Sequence, residues 1–558
     1  MELLYIWVDG YRNFQKIGFN LSDRFEIDFN IIERKLTVES IAKNHNIFGN
    51  NVLNISAIIG KNATGKSNLL ELISTILKSK KSTLIFDFIA VLKSDFDTQN
   101  QIYIYTNKDS EFEFDKSFNT IQDSSELNNL NVAYFSNIQD DRELNISRSV
   151  INLTPSKSVI KRKSDMLNQF KFLLSENYLN LDLESPKTLI ISTITKPSYS
   201  KHNRDISNLD SSILDDIKLK FKNALKTPNP IKHFSYSFIF SFFSYVLLEA
   251  INETRNKKRE LFEVNPDFNN LQNLFSNSFK DISEFGIKEL VQSIKEFIEL
   301  TFYEFTQVGS LNKKDAMSLM DFDRAIGYLN PQLIKEGKYN QSRAYYLVDL
   351  NIEHKRILKE FLTIFNHNRI IEVSWGGISS GHKAFLNVFS QFYSVIKKVN
   401  NKANILICID EGDLYMHPIW QKEFLSRLLN YLKSTFKANM QIILTSHSPF
   451  LVSDLPRRNI IYLDRTEDYF CSVIPYADSK DETFGANLLD LYASSFFLKG
   501  GTISKFAYDI IKDVVSLLKS QNIDKQDFEM ISYIISIVGD DVIKFKLVKM
   551  LEDAKNRN

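Results

Sequence analysis

The residues best suited to chemistry lie in one glycine-containing segment near the N-terminus. Eight consecutive residues match a phosphate-binding loop: Gly60, Lys61, Asn62, Ala63, Thr64, Gly65, Lys66 and Ser67. Glycines let successive backbone N–H groups curl around phosphate oxygens, and the N-terminus of a following helix favours negative charge. In that arrangement Lys66 reaches the β- and γ-phosphates and Ser67 ligates Mg²⁺. The segment therefore predicts ATP and Mg²⁺ as ligands.

A second segment ends in two carboxylates. Residues 405–409 are apolar and lead directly into Asp410 and Glu411. The run is too short for a helix and predicts a buried parallel strand that presents the acids at its carboxyl end. Asp410 is predicted to hold Mg²⁺ through water. Glu411 stands where a general base must lie to polarise the water that attacks the γ-phosphate.

Two further segments deliver polar groups at the end of a strand or the start of a helix. Residues 441–445 predict another short apolar strand, and its spacing after the acidic strand predicts that His447 touches the γ-phosphate. Residues 375–381 are mostly small and open a predicted helix. A loop of this kind at a helix N-terminus predicts a second anion site.

These four segments, in this order, resemble the ATP-binding-cassette class of ATPases. The similarity is to its soluble branch, which includes chromosome-maintenance, recombination-repair and overcoming-lysogenization-defect ATPases. The resemblance implies that Ser379 and Gly381 contact the γ-phosphate bound to the other subunit of a head-to-tail dimer. His382 stands where the family usually has Gln or Glu, so only the backbone contacts of that position carry over. A histidine at the position of His417, after the acidic pair, resembles the pattern of the overcoming-lysogenization branch.

The resemblance also implies a role for Gln139, which follows a predicted strand at residues 131–137. In the family a glutamine after such a strand senses Mg²⁺ and the attacking water. An electrostatic role for Asp140 or Asp141 is the alternative at this place.

The elements that position these groups are far apart in the chain, since 344 positions (410 minus 66) separate Lys66 from Asp410. A large insertion is therefore predicted between two parts of an α/β, ABC-type P-loop ATPase head. The predicted divisions are residues 1–139, with the phosphate loop and a β-rich subdomain; 140–369, an α-helical insertion; 370–475, the second part of the head; and 476–558, a helical, partner-binding region.

The N-terminal part also contains two predicted strands and two aromatic residues that could contact a nucleotide. Residues 101–106 and 111–115 alternate enough to predict strands. Tyr11 and Phe14 lie in the first hairpin region, where they either stack on adenine or pack in the core.

Composition is typical of a large protein with more than one core. The 558 residues are 43% hydrophobic, and length gives a prior of about three or four domains. A net charge of +1 gives no support for a bulk nucleic-acid binder. Basic clusters at 78–81, 161–163 and 255–259 are read as solvated faces or loops, and contact of the last with phosphates is left open. Two cysteines provide neither a disulfide framework nor zinc spacing.

Targeting signals are weak in the sequence. The N-terminus lacks the basic start and long apolar core of a signal peptide, and the most hydrophobic stretch, residues 234–248, is shorter than the roughly 20 apolar residues that span a bilayer. That stretch is read as a buried or partner-facing helix. We therefore expect a cytoplasmic protein that does not enter the membrane.

The C-terminal region resembles ATPases of the bacterial Septu antiphage system, including the forms found beside retrons. The similarity rests on residues 448–456 and 459–463, on the phrase Thr-Phe-Gly-Ala-Asn at 483–487, and on Ser-Ser-Phe-Phe-Leu at 494–498. It implies a homo-oligomer of ATPase dimers that carries a separate small HNH nuclease. In retron-linked forms a reverse transcriptase and its RNA–DNA product are also held.

Three functions follow from these observations. The first is an ATP-controlled sensor and scaffold that restrains and releases a nuclease partner. The second is a self-contained nuclease, which needs a C-terminal metal site with Glu and Asp-x-Asp. After Pro475 the sequence offers Asp540 and Asp541 but no such site, in about eighty residues. The third is a DNA-repair or chromosome ATPase, which the neutral charge and the lack of sustained heptads disfavour.

Overall fold

The computed structural model describes the chain in pieces separated by gaps. These are residues 1–41, 46–94, 101–108, 112–115, 117–138, 146–155, 159–179, 181, 184–194, 219–241, 334–339, 343–351, 371–395, 399, 403–475, 482–494, 504–520 and 523–557, with shorter pieces between 279 and 297 and between 355 and 363. The described residues include the phosphate-binding segment, both acidic residues and most of the tail.

The strands and helices have the following bounds. The strands are β1 (Glu2–Tyr11), β2 (Phe14–Asn20), β3 (Phe25–Asn30), β4 (Lys35–Ser40), β5 (Val52–Gly60), β6 (Phe88–Lys93), β7 (Ile102–Thr106), β8 (Asn119–Thr120), β9 (Leu130–Ser136), β10 (Ile151–Asn152), β11 (Thr188–Ile194), β12 (Ile334–Tyr339), β13 (Arg343–Asp349), β14 (Ile371–Gly376), β15 (Asn404–Asp410), β16 (Met440–Thr445), β17 (Ile460–Arg465) and β18 (Cys471–Ile474). The helices are α1 (Lys66–Lys78), α2 (Val159–Leu173), α3 (Glu176–Leu179), α4 (Ser380–Val395), α5 (Pro418–Thr435), α6 (Pro449–Ser453), α7 (Leu488–Ser494), α8 (Lys505–Lys519), α9 (Lys525–Ile537) and α10 (Asp541–Arg557).

A seven-stranded sheet with the order β10-β9-β15-β16-β5-β17-β18 positions the candidate residues. All neighbouring strands are parallel except β17 and β18. β15 and β16 are buried throughout, as expected of parallel strands covered on both faces. The register pairs Asp410 with Thr445 and Thr445 with Ile58. The carboxyl ends of three strands therefore meet at one edge, where α/β proteins commonly bind ligands.

Successive residues of the central strands pack on opposite faces of this sheet. Ile405, Ile407 and Ile409 join a core with α4 and α5, whereas Leu406 and Cys408 join a core with α1. Cys408 is buried, as predicted from its place in the acidic strand. The arrangement of helices on both faces of a parallel sheet confirms the predicted α/β class.

The N-terminal part contains a second sheet with the order β2-β1-β6-β7-β8 and a separate β3–β4 hairpin. The strand predicted at 101–106 is β7. The strand predicted at 111–115 is wrong over its described residues, because Glu113 makes only an isolated bridge with Lys35. Among the described residues no ladder extends from this bridge, and the segment is held instead by Phe112, whose ring packs against Trp7 and Phe29.

The predicted α-helical insertion at 140–369 is partly wrong. It contributes β11, β12 and β13, which form an antiparallel sheet with β14 in the order β12-β13-β11-β14. The sequence of β11, Thr-Leu-Ile-Ile-Ser-Thr-Ile, is rich in β-branched residues, which favour strands. Helices also occur, including α2 and residues 230–241, and Phe234 and Phe238 are buried there. The buried reading of the 234–248 stretch is thus confirmed over its described part.

The described residues of the C-terminal region include the helices α7, α8, α9 and α10. Side chains from α8, α9 and α10 build a small core of their own, which includes Leu518, Ile535 and Leu547. Across the described ranges, none of the helices has both the length and the apolar character needed to cross a bilayer.

Candidate active site

The predicted phosphate-binding segment connects the end of β5 to the start of α1 and turns through left-handed backbone. Ala63 has φ of 63° and Gly65 has φ of 103°. A β-carbon on Gly65 would lie 2.7 Å from Asn13 Nδ2 and 2.8 Å from the Phe14 ring. A β-carbon on Gly60 would lie 2.5 Å from the Leu463 carbonyl oxygen. Gly65 is therefore required by its left-handed conformation and by these contacts, and Gly60 is required by contact alone.

Lys66 points its ammonium back into this loop. Its Nζ lies 3.1 Å from the Gly60 carbonyl oxygen, 3.4 Å from that of Lys61 and 2.8 Å from His447 Nε2. Burial lowers the pKa of Lys66, and the carboxylates of Glu411 and Asp410 oppose that shift. The side chain is thus a buried cation at the centre of the loop, as the prediction for a phosphate ligand requires.

Asp410 lies at the end of β15 against the first turn of α1. Ser67 Oγ donates to its Oδ1 at 2.9 Å, and Thr445 Oγ1 donates to the same oxygen at 2.6 Å. Tyr134 and Ser136 hydroxyls approach Oδ2 at 3.4 Å. The sequence did not identify Thr445, because threonine at a strand end carries no motif of its own.

The pair of Ser67 and Asp410 suits Mg²⁺. Among the residues described, no group of three or more His, Cys, Asp or Glu side chains could hold a metal ion by itself. Mg²⁺ is usually bound by one or two carboxylates together with substrate phosphates and water. One carboxylate and one hydroxyl beside a phosphate loop therefore fit Mg²⁺ that arrives with a nucleotide.

Glu411 follows Asp410 in left-handed backbone with φ of 50°. Its N–H donates to the Thr445 carbonyl oxygen at 3.1 Å and to Thr445 Oγ1 at 3.0 Å, which holds this conformation. Burial raises the pKa of Glu411 to about 7; Lys66 opposes the rise, and Asp413 and Asp410 add to it. A carboxylate that changes charge near neutral pH is well matched to general base chemistry.

His447 completes the cluster after β16. Its Nε2 lies 3.4 Å from Glu411 Oε1 in addition to its contact with Lys66. Partial burial, followed by the Lys66 charge, lowers the pKa of His447 to about 4. The ring is therefore neutral at pH 7, and because a lysine ammonium only donates, Nε2 accepts and the ring proton lies on Nδ1.

A buried carboxylate that the sequence did not single out links the two loops of the site. Ser446 Oγ lies 2.9 Å from both carboxylate oxygens of Asp413, and it also accepts from the Ser448 N–H at 2.9 Å. Burial raises the pKa of Asp413. These contacts fix the loop after Glu411 to the loop that carries His447. No sequence spacing signals a pair 33 positions apart.

Ser379 and Gly381, which are predicted to contact the γ-phosphate of a second subunit, lie at the start of α4. Ser379 caps this helix, because its Oγ accepts from the His382 N–H at 3.1 Å and its carbonyl oxygen from the Lys383 N–H at 3.0 Å. A β-carbon on Gly381 would lie 2.9 Å from the Tyr415 carbonyl oxygen. These contacts give both residues a local role within one chain. Their action on a second subunit stays a prediction.

The remaining predicted positions have different outcomes. Gln139, Asp140 and Asp141 lie outside the described residues. Of the two roles predicted for Phe14, the structure shows packing in the core, because its side chain is fully buried. Tyr11 packs beside the same core.

Comparison with known proteins agrees with the geometry. A family model described as "AAA domain, putative AbiEii toxin, Type IV TA system" matches residues 55–453. The chain is 22% identical over 453 residues to "Retron Vc95 probable ATPase" of Vibrio cholerae serotype O1 biovar El Tor, covering 79% of this chain and 74% of that protein. It is 33% identical over 98 residues to "Retron Ec83 probable ATPase" of Escherichia coli, covering 16% of this chain and 17% of that protein.

Proposed function

Because the chain belongs to this AAA-domain family and is an ATPase, we propose that ATP bound with Mg²⁺ is hydrolysed at the described cluster. One observation carries the proposal: groups from three separate segments meet at the carboxyl edge of the sheet. Ser67 Oγ lies 2.9 Å from Asp410 Oδ1, and His447 Nε2 lies 2.8 Å from Lys66 Nζ and 3.4 Å from Glu411 Oε1.

Each residue has a distinct role in this proposal. The N–H groups of the loop and the Lys66 ammonium bind the β- and γ-phosphates. Ser67 and Asp410 would hold Mg²⁺, which would neutralise charge on the phosphate oxygens when bound. Glu411 accepts a proton from the water whose oxygen attacks the γ-phosphorus, and the bond from that phosphorus to the β-phosphate oxygen breaks. Neutral His447, whose Nε2 accepts from the Lys66 ammonium, lies beside the γ-phosphate and orients Lys66 without adding charge.

The rate of ATP hydrolysis is expected to rise with pH through about 7, because Glu411 must be ionised to accept a proton and its pKa is about 7. Asp413→Asn should move this acid limb to lower pH, since the Asp413 carboxylate is one of the charges that raise the Glu411 pKa. The measurement is kcat as a function of pH for both proteins.

Asp513→Asn is the matched control, because Asp513 is exposed on α8. It should leave the pH profile unchanged. A flat wild-type profile across neutral pH, or an acid limb that moves upward in Asp413→Asn, would contradict the assignment of Glu411 as the base.

A second copy of the chain is proposed to complete the site in a head-to-tail dimer. Ser379 is exposed at the N-terminus of α4, where free N–H groups favour an anion. In the dimer this end of α4 meets the γ-phosphate held by the partner's loop, so ATP joins the two heads. Gly381 keeps α4 close to residues 415–417 and so fixes where this end points.

At the level of the cell, we propose that the chain is the ATPase subunit of a bacterial antiphage defence complex that restrains and activates an HNH nuclease. Two relatives are named as probable ATPases of retrons Vc95 and Ec83, and these names support a defence role. A reverse transcriptase and its RNA–DNA product are further proposed partners. ATP binding and hydrolysis would switch the complex by changing the dimer of heads.

The nuclease is proposed to dock on α9 and α10. Large apolar side chains are exposed there, including Tyr533 at 64%, Ile537 at 61% and Phe545 at 70%. Tyr533 and Ile537 are four positions apart and therefore lie on one face of α9, and exposed apolar surface commonly marks protein interfaces. α9 and α10 share a buried core with α8, which holds this surface in place.

The test is affinity purification of the tagged chain with its neighbouring genes co-expressed, followed by a nuclease assay with and without ATP. Ile537→Asp should reduce recovery of the small nuclease by about tenfold or more, as for a central interface residue. Ile32→Asp makes the same change at a 95% exposed site in the β3–β4 turn and should leave recovery unchanged. Equal loss in both variants would refute this docking surface. A chain that cuts DNA alone would refute the partner altogether.

A further inference from the structure

The turn between β1 and β2 reaches the phosphate-binding loop through Asn13. The Nδ2 of this residue donates to the Thr64 carbonyl oxygen at 2.9 Å, and its Oδ1 accepts from Asn68 Nδ2 at 2.8 Å. The Asn13 carbonyl oxygen also accepts from the Cys471 N–H at 2.9 Å. Asn13 thus joins the loop, the first turn of α1 and β18.

The same hydrogen-bonded chain continues through Arg12. Its Nη1 donates to Asn68 Oδ1 at 2.6 Å, and its Nη2 lies 2.7 Å from Glu71 Oε2. Glu71 is fully buried on α1. Breaking an ion pair that has a buried member is costly, so this contact holds Arg12 in position. In this series of hydrogen bonds, the side-chain amides of Asn13 and Asn68 each donate through nitrogen and accept through oxygen. The orientation of the Asn13 amide is therefore fixed.

The contact with Thr64 has a geometric consequence for the next residue. A trans peptide is planar, and its C=O and N–H point in opposite directions. Since the Thr64 carbonyl points at Asn13, the Gly65 N–H points away from the β1–β2 turn. Gly65 has no β-carbon to resist rotation of this peptide, and Asn13 occupies the space where a β-carbon would lie.

We infer that Asn13 is a positioning residue for nucleotide binding: it fixes the Thr64–Gly65 peptide so that the Gly65 N–H is aimed at a phosphate oxygen before the nucleotide arrives. The inference rests on the proposed phosphate loop. Asn13 touches no phosphate itself and acts through the backbone of that loop. Such preorganisation lowers the ordering cost of binding.

The test is Asn13→Ala, with affinity for a slowly hydrolysed ATP analogue measured by calorimetric titration. The variant should bind about three- to tenfold more weakly, as expected for one net hydrogen bond. Its KM for ATP should rise by a similar factor while kcat changes by less than about twofold, because Asn13 binds and orients rather than reacts.

Asn20→Ala is the matched control, since Asn20 Nδ2 also donates to a backbone carbonyl oxygen, that of Phe25, at 2.8 Å. It should leave the affinity within about twofold of the wild type, given that it lies away from the loop. Asn13→Ala combined with Asn68→Ala should weaken binding by less than the product of the single effects, because the two amides share one chain of hydrogen bonds.

The outcomes separate this inference from the proposed function. Wild-type affinity in Asn13→Ala, or an equal loss in Asn20→Ala, overturns the positioning role. If Lys66→Ala weakens binding while Asn13→Ala does not, only the role of Asn13 fails. If Lys66→Ala also binds the analogue as tightly as the wild type, the proposed site fails with it.

Discussion

Glu411→Gln is expected to lower ATP hydrolysis by about 10²- to 10⁴-fold, the usual contribution of a general base, while ATP stays bound. Gln has the shape of Glu but cannot accept the proton of the attacking water. The substitution also removes a buried carboxyl group, whose pKa burial raises to about 7. Because it takes negative charge away from the phosphate site, phosphate binding should not weaken. Trapped ATP should hold two heads together, and sedimentation with ATP should therefore show more dimer than in the wild type.

The folding control for this variant follows from the same pKa. Burial disfavours the ionised form of Glu411, so the stability cost of that charge is present above about pH 7 and absent well below it. Gln carries no charge at any pH, and the melting temperature of the variant at pH 8 should be no lower than that of the wild type. Wild-type turnover in Glu411→Gln would eliminate this residue as the base.

Lys66→Ala is expected to weaken ATP binding by about 10- to 100-fold or more, as for loss of a charged hydrogen-bond donor. The Lys66 ammonium is the buried cation that faces the carbonyl oxygens of Gly60 and Lys61. Removing it should also raise the pKa of His447 toward its ordinary value, since the Lys66 charge helps to lower it. Equilibrium titration with ATP and Mg²⁺ measures the first effect, and NMR titration of the ring measures the second.

Lys61→Ala is the matched control in the same loop. Lys61 Nζ pairs with Asp464 at 2.9 Å, and its side chain is 47% exposed. An exposed pair of this kind contributes about 0–1 kcal/mol to stability, and the ammonium does not face the loop interior. Lys61→Ala should therefore bind ATP nearly as well as the wild type. Equal weakening in the two variants would show that general positive charge, rather than the position of Lys66, determines binding.

Local patterns in the sequence predicted the parts of the site that local chemistry determines. The loop at 60–67, the acidic strand ending at Asp410 and the strand before His447 each follow from a short run of residue types. Because parallel strands present their carboxyl ends at one edge, these segments could be expected to meet. Distances of 2.8 to 3.4 Å between their polar groups agree with that expectation.

Contacts between distant segments were not predictable in the same way. Asp413 pairs with Ser446, and Asn13 with Thr64, through side chains that have no motif and many alternative partners. The strand β11 was read as part of a helical insertion, because its pairing with β13 and β14 depends on residues more than 140 positions away. Tertiary pairing of this kind overrides local periodicity.

The most direct test of the proposed site is structure determination of the Glu411→Gln protein with ATP and Mg²⁺. We expect the phosphates to lie in the loop at 60–67, with Lys66 Nζ on the γ-phosphate and Mg²⁺ beside Ser67 and Asp410. We also expect Ser379 of a second copy to face the same phosphate. Nucleotide bound elsewhere, with Lys66 still held by His447, would contradict the proposed site.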